Sequence, residues 1–187
     1  QVEGVGDYAA TLLTLFSAVA KKSEQSRQGP RTTLSSRAVA EKYCVALLNG
    51  EKREHFYAVC LNAQMQVLGD ALVAVGSLSE VPAYPRVVAQ QVLSRGAHSV
   101  LLCHNHPGGS LIPSALDMET TRQLSDMLRR LEVVLCDHII VADGQAFSMV
   151  RHHLIEQEIT PAGVATHVAD PQGEVRIKHE LQKKENR

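Results

Sequence analysis

No stretch of this chain approaches the roughly 20 consecutive apolar residues that a helix needs to span a bilayer, so no membrane partner is expected. No basic-then-apolar signal peptide is read at its start, and the first residue is Gln, which fits a fragment of a longer protein. Excess charge is lacking too. A net charge of −1 and a pI of about 6.8 demand no polyanionic partner, and a nucleic-acid role would need a local basic patch. Cysteine is sparse and never paired as CxxC: Cys44, Cys60, Cys103 and Cys136 sit at wide spacings inside apolar runs. Such cysteines are expected to be buried reduced thiols, with a cytoplasmic location as the default. There is no internal repeat. What is present is 187 residues with 44% hydrophobic content, enough for one ordinary domain with a real core and some appended segments.

Along the chain, Asp7 can cap a helix running to about Lys22, with Leu12, Leu13, Phe16, Val19 and Ala20 on one face. Residues 23–33 are polar, contain Gly29-Pro30 and read as a linker. A second helix fits Ser36 to Leu48, with Val39, Tyr43, Ala46 and Leu47 inward and Asn49-Gly50 as its stop. Phe56 to Leu61 is a continuous apolar run, as in a strand covered on both faces. A turn at Asn62-Ala63-Gln64 leads to returning strands at Met65–Leu68 and Ala71–Val75. Pro85 starts a helix ending at Gly96, and Ser99 to Cys103 is another buried strand. A helix from Ser114 to about Leu131 turns Leu116, Leu124, Met127, Leu128 and Leu131 to one side. Val133 to Val141 is the next strand, ended by the turn Asp143-Gly144. Residues 34–157 thus form the main domain, and 158–187 read as a polar, mobile tail. Helices alternating with strands predict an α/β fold with both faces of a sheet covered, and the hairpin near Asn62 makes the sheet mixed.

The chemistry concentrates in His104-Asn105-His106-Pro107-Gly108-Gly109-Ser110-Leu111-Ile112-Pro113-Ser114-Ala115-Leu116-Asp117, directly after a buried strand. If the strand continues, His104 and His106 point the same way, because side chains alternate. Pro-Gly-Gly lets the chain turn. A helix beginning at Ser114 brings Asp117 back toward the strand end. Two imidazoles and one carboxylate make a three-ligand zinc site with an open position, which favours catalysis over a closed structural site. Each part has a plainer reading: a His pair at a strand end is often polar surface, and Ser114-x-x-Asp117 is a capping box. The cap explains neither the paired histidines nor the glycine turn.

His-x-His followed by seven residues, Ser, two residues and Asp resembles the metal signature of the JAMM (MPN-type) metalloproteases. The form His104-Asn105-His106-Pro107-x-Gly109 with Pro113-Ser114-x-x-Asp117 is similar to the RadC-like branch. Glu54-His55-Phe56, Tyr84-Pro85-Arg86 and Asp137-His138-Ile139-Ile140 add to the likeness, which runs from Leu34 to Ile155. The resemblance implies a three-layer α/β sandwich like that of cytidine deaminases. It implies Zn2+ held by His104, His106 and Asp117, with Glu54 as general base toward water and Ser114 as hydrogen-bond donor to the oxyanion. Sequence alone does not choose Glu54 over Glu51 or Glu80. The implied activity is zinc-dependent hydrolysis of a peptide or isopeptide bond in a peptide or protein substrate. The chain departs from the branch at Gly108, Ser110, Tyr84 and Val87, and Asn105 stands where deubiquitinating relatives have Ser or Thr.

The family's traditional label leaves open a second role, as a repair or recombination accessory with a structural or vestigial metal site. Gly4-Val5-Gly6 resembles the end of a helix-hairpin-helix region and allows a weak DNA contact through backbone amides. A zinc-stabilised partner-binding module is a third reading. Asp137-His138 reads as a structural pair fixing a loop rather than a catalytic dyad, and His152, His153, His167 and His179 read as surface.

Overall fold

The computed structural model describes residues 31–76, 84–160 and 163–168, together with Gly6 and residues 11, 12, 15 and 16. Two compact units divide at Thr32 and Thr33. In the first, the described residues 11, 12, 15 and 16 are helical, and the rest of the helix expected over Asp7 to Lys22 lies outside the described residues.

The second unit is built on a five-stranded mixed sheet of order β2-β1-β3-β4-β5. Its strands are β1 (His55–Leu61), β2 (Val67–Val75), β3 (Ser99–Asn105), β4 (Val134–Ala142) and β5 (Gln145–Ser148). The helices are α1 (Arg37–Leu48), α2 (Tyr84–Arg95) and α3 (Ala115–Arg130). β1 runs antiparallel to β2 and β3, and β5 antiparallel to β4. Only β3 and β4 are parallel, joined by the crossover through α3. Every residue of β3 is buried, which is why its middle, Val100 to Cys103, is a run of apolar residues without polar alternation.

Alternation along β3 and β4 splits the core in two. Val100, Leu102 and Ile140 face α2 and α3, joining Phe56, Val88, Leu124 and Leu128. Leu101, Cys103, Ile139 and Val141 face α1, joining Leu34, Cys44 and Leu48. This is the three-layer α/β sandwich that the sequence predicts. No helix among the described residues is long and apolar enough to cross a membrane.

Four expectations differ in detail. The two returning strands after Asn62 are one strand, β2, which pairs with β1 through Gly69 and Asp70 and shifts register at Leu68 and Val73. A side chain at position 69 would put its Cβ 2.9 Å from Arg95 Nε, so glycine there admits a side chain from α2 rather than ending the strand. On α1 the buried stripe is Cys44 and Leu48, and Ala46 is exposed. On α3 Met118 is buried, whereas Leu116 faces solvent. Finally, the expected tail begins as an antiparallel hairpin, β6 (Ile155–Thr160) with β7 (Gly163–Val168). Cross-strand pairs run unbroken from Ile155 with Val168 to Thr160 with Gly163. Residues 169–187 lie outside the described residues.

Candidate metal centre

β3 ends at Asn105, but the His106 N–H still bonds Val141 O at 2.8 Å. Extended geometry therefore persists for one more residue, and His104 and His106 share a side. The chain then turns through Pro107-Gly108-Gly109. Gly109 has φ +80°, and a Cβ on it would meet Asp143 Oδ2 at 3.0 Å, so this tight turn requires glycine. Ser114 caps α3 through a full capping box: its hydroxyl accepts from Asp117 N–H, and the Asp117 carboxylate accepts from Ser114 N–H. The cap swings Asp117 back over the strand end. The capping and ligand readings of Ser114-x-x-Asp117 are therefore both realised by one geometry.

His104 Nε2 lies 2.8 Å from His106 Nε2. Asp117 Oδ1 is 3.2 Å from the first nitrogen and Oδ2 is 3.4 Å from the second. Glu54 enters the same group, and one ligand atom from each of Glu54, His104, His106 and Asp117 falls within 4.8 Å of the others. His104 and Asp117 are buried, while His106 and Glu54 are partly open to solvent.

Glu54 arrives at the end of the α1–β1 loop, and Asn105 holds that loop. Its Oδ1 accepts from His55 N–H at 2.8 Å, and its Nδ2 donates to Arg53 O at 3.0 Å and Glu51 O at 3.3 Å. Gly76 N–H ties Glu54 O to the end of β2 at 2.8 Å. Asn105 was legible only as the middle letter of the histidine motif. Its three bonds span fifty residues of sequence and leave no local pattern.

The electrostatics of the cluster keep a carboxylate ionised among the imidazoles. Burial pushes the Asp117 carboxyl up, but contacts with His104, His106 and Ser114 overcome this and hold it well below the usual carboxylate range. Burial opposes the charged form of His106, and Asp117, the Ser110 carbonyl and Glu54 together outweigh it and raise its pKa. Burial raises the Glu54 pKa, His104 and His106 counter it in part, and Asp117 adds to it.

The donor set fits a divalent metal. His106 Nδ1 lies 2.8 Å from Ser110 O, which can only accept, so Nδ1 carries a hydrogen and Nε2 is the nitrogen that presents a lone pair whenever the ring is neutral. That lone pair faces an ionised carboxylate and a second imidazole. Two imidazole nitrogens with a carboxylate suit a divalent ion such as zinc with a position left open to water, and Glu54 stands beside it.

Two further side chains line the cluster from behind. His138 Nε2 lies 2.8 Å from His104 Nδ1, and the Phe56 ring packs edge-on against His138. Burial, then the neighbouring His104, lowers the His138 pKa well below its ordinary value. Thr121 lies behind His138. Asp137 points to the other face, where it accepts from Ser148 Oγ–H, His138 N–H and Val150 N–H. The expected structural pair thus divides: Asp137 fixes the Ser148–Val150 turn, and His138 serves the histidine cluster. Period-two alternation is the signal that separates two neighbours on a strand. Of the outer histidines, His152 stacks on Phe147 at 4.1 Å, His153 is exposed, and neither joins the cluster. Gly4-Val5, His179 and Glu80 lie outside the described residues.

A cleft of about 500 Å³ adjoins the cluster at His106, walled by Asn49 to Lys52, Asn105, Pro107 and the Asp143-Gly144 turn. A second cavity, of about 450 Å³, sits at the opposite end of β3 around Ser99 and Arg37, remote from the histidines.

A parallel β–α–β crossover that returns a carboxylate to a His-x-His strand end marks a JAB-type domain. Residues 34–155 match the RadC-like JAB domain, and the chain belongs to that family. It is 31% identical over 160 residues to a UPF0758 protein of Thermosynechococcus vestitus, an alignment covering 86% of this chain and 61% of that protein. It is 34% identical over 148 residues to a UPF0758 protein of Bordetella bronchiseptica, covering 79% and 66%. A UPF0758 protein of Pseudomonas fluorescens is 34% identical over 149 residues, covering 80% and 66%. The chain thus spans less than two thirds of the length of these relatives.

Proposed function

We propose that this chain is a zinc-dependent hydrolase that cleaves a peptide or isopeptide bond. The observation that carries the reading is the convergence of His104, His106, Asp117 and Glu54 within 4.8 Å beside an open cleft. His104, His106 and Asp117 would hold the ion. A bound zinc lowers the pKa of water to about 7 and polarises a carbonyl.

Glu54 acts as the base. Its raised pKa brings it nearer neutrality, where a carboxylate can both accept and return a proton. It takes a proton from the attacking water as the oxygen bonds to the scissile carbon. It then passes that proton to the departing amine nitrogen as the C–N bond breaks. Ser114 donates its hydroxyl hydrogen to the developing oxyanion. In the resting structure that hydrogen goes to Asp117 Oδ2 at 2.7 Å. The Ser114 N–H holds the same oxygen at 2.7 Å, so the carboxylate keeps a donor when the hydroxyl rotates away. Asn105 keeps Glu54 in place through the loop it anchors. The cleft beside His106 would take the residues flanking the scissile bond. None of Cys44, Cys60, Cys103 and Cys136 is in a disulfide, which fits the reducing cytoplasm that we propose as its compartment.

The test compares wild type with Glu54→Gln for zinc content and for hydrolysis of a peptide library. Equal zinc with turnover reduced about 10²–10⁴-fold in the variant is expected. Equal turnover in the two proteins would reject the mechanism.

A further inference from the structure

The inner side of the histidine cluster is closed by two side chains that offer it no ligand atom. His104 Nδ1 is 2.8 Å from His138 Nε2. His138 Nδ1 is 2.6 Å from Thr121 Oγ1. Thr121 Oγ1 is 2.5 Å from the main-chain oxygen of Asp117, one helical turn back in α3. His104, His138 and Thr121 are fully buried, and Asp117 is 1% exposed. No solvent can replace a partner at these positions.

The hydrogens of this chain have one consistent order. A carbonyl oxygen only accepts, so the single hydroxyl hydrogen of Thr121 goes to Asp117 O, the common back-bond of a helical threonine. Thr121 Oγ1 then accepts, and His138 Nδ1 must carry the hydrogen that it receives. His138 is fully buried and neither partner of its ring nitrogens is a carboxylate, so nothing offsets a charge on the ring, its Nε2 is bare and it accepts from His104 Nδ1–H. The free lone pair of His104 is thereby left on Nε2, which faces His106 Nε2 and Asp117 Oδ1. A His104 ring without that acceptor is free to place its hydrogen on Nε2, where it blocks coordination.

We infer that His138 and Thr121 form a positioning relay that holds His104 in the Nδ1–H tautomer, with Nε2 turned to the metal position. The relay begins at the backbone of Asp117 and ends on the ring of His104, so it ties the helix-borne ligand to the strand-borne one. Proton order and ligand spacing are then set by one buried chain of hydrogen bonds. Met149 Sδ, 3.9 Å from Thr121 Oγ1, and the Phe56 ring close the space around the relay. The purpose of the relay rests on the metal-centre reading, whereas its hydrogen order does not.

Two measurements on the full chain test it. The first is 15N NMR of the histidine rings in the metal-free wild type at neutral pH. His104 and His138 are each expected to carry hydrogen on Nδ1 and none on Nε2. A hydrogen on His104 Nε2 overturns the relay. The second is cobalt(II) titration of wild type, Thr121→Ser and Thr121→Val, followed by the d–d absorption spectrum. Serine keeps the hydroxyl and should keep wild-type affinity. Valine has nearly the same shape without it and should weaken cobalt binding by about 10–100-fold, as loss of such an outer partner does elsewhere. Equal affinity in all three proteins overturns the proposal. A wild type that takes up no cobalt refutes the metal-centre reading instead, and the tautomers then decide the relay alone.

Discussion

The two faces of the central sheet solve different problems with the same strands. Toward α1, Leu101, Cys103, Ile139 and Val141 meet Leu34, Cys44 and Leu48 in a layer of apolar and thiol side chains. Toward α2 and α3, His104 and His138 stand beside Leu102 and Ile140 on the same two strands, with Asp117 and Thr121 on the helix above. Burying a polar group without a partner costs about 1–3 kcal/mol in proteins. The second face meets that cost by pairing: each ring nitrogen of His138, and Nδ1 of His104, has a partner within 2.8 Å. The lesson is that one face carries stability and the other carries a geometry for binding. The two should therefore fail in different ways.

The largest expected effect is on binding. Asp117→Asn removes a charged ligand but keeps an oxygen that can accept from Ser114 N–H. Cobalt affinity should fall by more than the roughly 100-fold that loss of an outer partner costs, with α3 still formed by circular dichroism. Next, Leu101→Ala on the α1 face should lower unfolding free energy by about 2–5 kcal/mol in urea titrations. Cobalt affinity in that variant should stay at the wild-type level. If Leu101→Ala also weakens cobalt binding strongly, or Asp117→Asn leaves it intact, the contrast between the faces breaks.

The smallest effect comes from pH in the metal-free protein. His138 has a folded-state pKa depressed first by burial and then by His104. Its stabilising contribution is present above the unfolded value of about 6.5 and is lost as pH falls from there toward the folded value, because the unfolded chain takes up the proton first. Urea midpoints should therefore decline between pH 7 and pH 5, and His138→Phe should flatten that slope. An unchanged slope in the variant would place the titration elsewhere.

Much of this was legible in the sequence because local rules governed it. Val100 to Cys103 read as a buried strand, Ser114 as the cap of the following helix, and His104 with His106 as one face. Asp143-Gly144 read as a turn, and both residues take positive φ, 48° and 72°. The hairpin at Ile155–Val168 was missed because its polar residues read as a tail. The inner partners of the site were missed for a different reason. Thr121 and His138 are 17 residues apart, His104 and His138 are 34 apart, and Asn105 holds a loop 50 residues upstream. Such contacts are set by how α3 lies on the sheet, and no spacing along the chain encodes them. Asp137-His138 shows the same limit: adjacent letters suggest a dyad, but a strand sends them to opposite faces.

The central claim is best tested by diffraction on either side of the zinc absorption edge, from crystals of the full chain grown with zinc. The account predicts a single anomalous peak in contact with His104 Nε2, His106 Nε2 and the Asp117 carboxylate. Well-ordered side chains at these positions with no peak between them would contradict it.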